Sequence, residues 1–99
     1  MKKYRTHDEY LAKSLQDPLE AALYLNAATE ENDPALLVVA LGQVAKAHGL
    51  SRIAGRTHLS RMGLYKTLSK KGNPELKTFL GLLKASGLQL AFKPIQQAA

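Results

Sequence analysis

Apolar residues recur at three- and four-residue intervals along most of this chain, and the pattern breaks at Asp17-Pro18, Asp33-Pro34, Gly49, Leu59-Ser60, Gly72-Asn73-Pro74 and Gly87. That period belongs to α-helices with an apolar face, and the breaks are helix punctuation. An Asp or Asn side chain accepts from free N–H groups at a helix start, and a following Pro fits the first helical position. Asp17-Pro18 therefore predicts a helix to about Glu30, with Leu19, Ala22, Leu23 and Ala27 on its buried face. Asp33-Pro34 predicts a second, ending at His48-Gly49 and uncharged from Ala35 to Ala45, hence buried on several sides. Asn73-Pro74 predicts a third, closed by Gly87, with Leu76, Phe79, Leu80, Leu83 and Lys84 at helical spacing. Between Gly49 and Gly72 lie two short helical pieces, the first capped by Ser51 with Ile53 and Ala54 inward, the second capped by Ser60 with Leu64 and Leu68 inward. Asp8 to Leu15 adds a turn or two of helix, and Leu88 to Phe92 alternates weakly enough to predict a short strand before Pro94. The expected fold is all-α, five to six helices with a short C-terminal strand. A lone strand in a helical chain pairs most readily with its copy in a second subunit.

Charge divides this picture in two. Residues 1–33 carry four basic and seven acidic residues, a net of −3, whereas residues 34–99 carry ten basic residues against Glu75 alone, a net of +9. The division predicts an acidic arm and helix over 1–33, a basic domain over 34–92 and a tail over 93–99. A strongly basic body suits a polyanionic partner, because neutralised phosphates release counterions. With 99 residues there is room for one core and no two-lobed cleft. The absence of Cys excludes disulfides and thiol chemistry. The longest apolar run, Ala35 to Leu41, is too short to span a bilayer, and Tyr4 to Glu9 is too polar for a secretion signal. No membrane contact and a cytoplasmic location are expected.

Two short helices joined by a tight turn, with an apolar helix before and an amphipathic one after, predict a helix-turn-helix over Gly49 to Leu68. Ala54 lets the pair approach closely, Leu59 plugs the turn into the core, and Ser60 caps the second helix. Arg61, Met62, Tyr65 and Lys66 would then enter the major groove, where an Arg can read guanine. Ser51, Arg52, Arg56, Ser60, Lys70 and Lys71 would meet phosphates, which position a protein without reading sequence.

Several segments carry a family resemblance. They are Ala21 to Ala28, Asp33-Pro34-Ala35, Val44 to Ser51, Leu59-Ser60-Arg61, Gly63-Leu64-Tyr65-Lys66, Leu68-Ser69, Gly72-Asn73-Pro74 and Gly87-Leu88. Residues 34–92 resemble the lambda-repressor-like, Cro/Xre-type helix-turn-helix, and residues 17–92 resemble its subgroup of addiction module antidote proteins (HigA-like antitoxins). Gly49 to Ser60 is about two residues shorter than the general Cro-type pattern, as in the antidote subgroup, and Arg52 stands where the general pattern has Gln. The resemblance implies a homodimer that binds double-stranded operator DNA, represses its own operon and neutralises a RelE/ParE-like toxin. Such toxins are generally basic, so the acidic arm is a candidate match, with Asp8, Glu9, Tyr10, Leu11, Leu15, Glu20 and Tyr24 as candidate contacts. Phe79, Leu88, Leu90 and Phe92 are the candidate dimer residues.

Catalytic chemistry has no foothold in the pattern. His7, His48 and His58 have no ligand-spaced partners, so no metal is expected. Asp8 and Glu9 read as a solvated pair, and neither a phosphate loop nor a nucleophile elbow occurs. The expectation is therefore no enzyme, no cofactor and no small-molecule substrate. Besides the antitoxin and autorepressor, a stand-alone regulator without a toxin and an interaction module that has lost DNA binding stay open.

Overall fold

In the computed structural model, which describes residues 6–69 and 71–96, the chain is all-helical with six helices. These are α1 (His7–Ser14), α2 (Pro18–Thr29), α3 (Pro34–His48), α4 (Leu50–Thr57), α5 (Arg61–Thr67) and α6 (Leu76–Ala85). Side-chain oxygens cap four of them. Thr6 accepts from Glu9 N–H at 3.1 Å, Asp17 from Leu19 N–H at 2.9 Å, Asp33 from Ala35 N–H at 3.0 Å, and Ser60 from Gly63 N–H at 2.9 Å. The two Asp-Pro starts and the Ser60 cap are thus as expected, and each such cap contributes about 1 kcal/mol.

Two starts differ from the pattern. α4 begins at Leu50 behind Gly49, which has no side chain to accept from the free N–H groups, and Ser51 lies inside the helix rather than at its cap. α6 begins at Leu76 behind Glu75, two residues after Pro74 and without a side-chain cap. The cause lies just upstream. Gly72 is folded against the end of α5, its N–H bonded to Ser69 O at 2.8 Å, and a Cβ there would overlap the Thr67 carbonyl. The chain leaves this turn extended and regains helical geometry only after Glu75.

α3 is the central element, packed by α1, α2, α4 and α6, while α4 also holds α5 and α6. One cluster of buried residues runs through α2 to α6 and the joints after α1 and α5, including Leu15, Ala21, Leu25, Leu41, Val44, Ile53, Leu64, Leu68 and Leu82, and Leu11 of α1 packs against it. Burying each Leu or Ile stabilises the fold by about 1.5–3 kcal/mol. The uncharged stretch of α3 is buried on several sides as expected, through Val38, Ala40, Leu41, Val44 and Ala45.

α2 is turned differently from its pattern. Its buried face is Ala21 and Leu25, with Tyr24 and Ala28 packed beside them, whereas Leu19 and Leu23 are 68% and 57% exposed. α6 likewise buries Leu82 and Leu83 and leaves Leu76 and Leu80 outside.

The strand expected over Leu88 to Phe92 is absent. Gly87, at φ +81°, ends α6 in a left-handed turn in which Leu88 N–H reaches Leu83 O at 2.8 Å and Gly87 N–H reaches Lys84 O at 3.0 Å. That is a Schellman stop, with Leu88 tucked against the core. Residues 89–96 continue exposed and without regular structure. A strand needs a neighbouring backbone edge, and helices have already used their own N–H and C=O groups. No helix among the described residues is long and apolar enough to cross a membrane.

Candidate functional site

The Ser60 cap sets the start of α5, and two buried leucines set its rotation. Leu64 is fully buried and Leu68 nearly so, which turns Arg61, Met62, Tyr65 and Lys66 together to the opposite side. All four are exposed, Met62 at 67% and Tyr65 at 51%. An exposed face with two cations, one aromatic ring and one thioether suits a partner offering both negative charge and flat apolar surface. His58, at φ +61°, makes the sharp turn between α4 and α5, and Leu59 packs against the core behind it.

Arg52 and Arg56 lie apart from that face. They stand one turn apart on α4 and line an open cleft of about 400 Å³ with Gln16, His48, Lys84 and Gly87, to which α5 contributes no residue. The Gln16 amide donates to Ala47 O at 3.3 Å and ties the α1–α2 turn to this edge. His48 Nε2 is buried there with no hydrogen-bond partner among the described residues. The sequence-predicted cations therefore divide into an α5 set and a cleft set, and hydropathy gave no signal that His48 and Lys84 join the latter. Ser51 and Lys71 are exposed, Lys71 in the turn after α5, and Lys70 lies outside the described residues.

At the acidic end, Asp8, Glu9, Tyr10 and Glu20 are exposed, while Leu11 and Tyr24 pack partly against the core. Leu15 does not belong with them. At 1% exposure it is one of the largest fully buried side chains, so its expected role as a partner contact gives way to a role in the core. The pattern also missed Leu19 and Leu23, which it placed inside. Both helix-facing arrangements bury apolar residues, because α2 is apolar nearly all round from Leu19 to Ala28.

The profile of a protein family described as "probable addiction module antidote protein" matches residues 5–94 of this chain. The chain belongs to that antidote family. A Haemophilus influenzae protein described as uncharacterized is 42% identical over 79 residues, covering 80% of this chain and 81% of its own. No solved structure matches. An antidote family implies a toxin partner in general.

The antidote's candidate self-association residues are split by the fold. Phe79 and Leu88 pack partly into the core, whereas Leu90 is 44% and Phe92 91% exposed. Leu76, Leu80 and Ile95, which the sequence did not name for self-association, are also exposed apolar residues of α6 and the tail.

Proposed function

We propose that this antidote is an antitoxin that binds operator DNA as a dimer, represses its own operon and neutralises a RelE/ParE-like toxin in the cytoplasm. The observation that carries this reading is the family match over residues 5–94. The DNA half is supported by the α4–turn–α5 arrangement, which fits a lambda-repressor-like helix-turn-helix with α5 in the major groove. In that placement Arg61 and Lys66 read base edges, Met62 and Tyr65 supply apolar contact, and Ser60 sits at the phosphates. Lys71, in the turn after α5, takes up backbone charge beside it, and Arg52 and Arg56 take up backbone charge from the separate edge of α4. The exposed apolar residues of α6 and the tail serve the dimer, whose half-sites would then be spaced about one DNA turn apart or a multiple of it. The protein works by binding and carries no catalytic step.

The experiment is binding to a duplex carrying the chain's own promoter, measured across a salt series, with and without the product of the adjoining reading frame. The reading predicts affinity that falls steeply with salt and a stable complex with that product. DNA binding without any such complex would favour the stand-alone regulator, and a complex without DNA binding would favour the interaction module.

A further inference from the structure

We infer that the outer face of α2, centred on Leu19 and Leu23, is the surface on which the toxin docks, and that this toxin presents an apolar centre with a basic rim. The inference rests on the antidote reading and moves the centre of the contact from the acidic arm, of which Glu20 and Tyr24 lie on α2, to two leucines that the charge pattern did not name.

Leu19 and Leu23 are one helical turn apart, so their side chains are neighbours on one stripe, and exposed Ala27 continues it by another turn. The stripe lies opposite Ala21 and Leu25, which already seat the helix on the core. Among the described residues, Leu19 and Leu23 take no part in the core cluster. Single exposed leucines are ordinary, but two aligned on one helix at i and i+4, both more than half exposed, form an apolar ridge of the kind that lies in a partner's groove.

The surroundings of the ridge select the partner. Residues 14–45 hold Asp17, Glu20, Glu30, Glu31 and Asp33, all exposed, and not one Lys or Arg. DNA is repelled by such a rim. A second copy meeting it face to face would set like charges against each other, as a two-fold interface requires. The exposed apolar residues of α6 and the tail have the opposite setting, among Lys77, Lys84 and Lys93, and so answer to a different partner. What remains for α2 is a cationic protein surface with an apolar pocket.

The test uses the full-length chain and the purified product of the adjoining reading frame, with binding followed by titration calorimetry. Leu19→Glu with Leu23→Glu should weaken the complex by about 30-fold or more, while promoter binding and helicity stay as in the wild type. Leu19→Ala with Leu23→Ala gives the same readout without added charge, should the first variant fail to fold. Glu20→Lys should slow association about threefold at low salt and less at high salt. Unchanged affinity in both leucine double variants overturns this inference alone. So does a changed oligomeric state with unchanged toxin affinity, which would make the ridge a self-interface. If the wild-type chain does not bind the product at all, the antidote reading itself falls, and this inference with it.

Discussion

α2 and α5 are both surface helices with a buried side and an open one, and they open opposite chemistry to solvent. α5 shows Arg61, Met62, Tyr65 and Lys66, whereas α2 shows Leu19, Leu23 and Glu20. On α5 Leu64 and Leu68, one turn apart, fix the rotation, and the exposed face follows with Met62 and Tyr65 among its cations. On α2 apolar residues lie nearly all round, so packing against α3 decides the rotation, and Ala21 with Leu25 is the side that faces inward. Apolar residues left outside by that choice, within a segment free of Lys and Arg, mark a face that something else covers.

The largest expected effects separate core from surface within the acidic end itself. Leu15→Ala and Leu25→Ala should each cost about 2–5 kcal/mol in urea unfolding, because each empties a filled interior position. A smaller loss at Leu15 would return it to the surface and restore a looser arm.

Next comes the α5 face. Arg61→Ala should reduce discrimination between promoter and unrelated duplex by about 1–3 kcal/mol. Lys71→Ala should instead weaken both duplexes alike and lower the salt slope by about 1. Identical behaviour of the two variants would dissolve the distinction between reading and positioning cations.

A helix cap sharpens the same comparison from the structural side. Ser60→Ala should cost about 1 kcal/mol of thermal stability by freeing the Gly63 N–H, and Ser51→Ala much less, since Ser51 lies within α4 rather than at its cap. The smallest effect belongs to the ridge. Leu19→Ala or Leu23→Ala should shift unfolding by no more than about 0.5 kcal/mol, as exposed substitutions do.

The six helices were largely legible because their signals are local. Asp17, Asp33 and Ser60 cap where the pattern places them, and the Leu64–Leu68 interval fixes the inner side of α5. The α6 start was not legible, since it depends on how the backbone of Gly72 folds back on Thr67 after α5, which no apolar spacing records. Nor was the end of α6. Gly87 and Leu88 read as a stop followed by a strand, but Leu88 closes the Schellman turn and the residues after it find no edge to pair with. At the candidate site, the four outward residues of α5 followed directly from its buried leucines. The separation of Arg52 and Arg56 into a cleft with His48 and Lys84 required the packing of α4 on α6, which no local spacing encodes. The α2 ridge was hidden for a related reason, in that a helix apolar on every side carries no record of which side is buried.

We propose a division of labour in which two helix faces of one small core serve two partners separately. It is tested most directly by measuring promoter affinity and adjoining-product affinity for two double variants side by side, Arg61→Ala with Lys66→Ala and Leu19→Ala with Leu23→Ala. A crossed result is expected, in which the first pair loses DNA and keeps the protein partner, and the second keeps DNA and loses the protein partner. Parallel losses in both affinities for either pair, with folding intact, would contradict it.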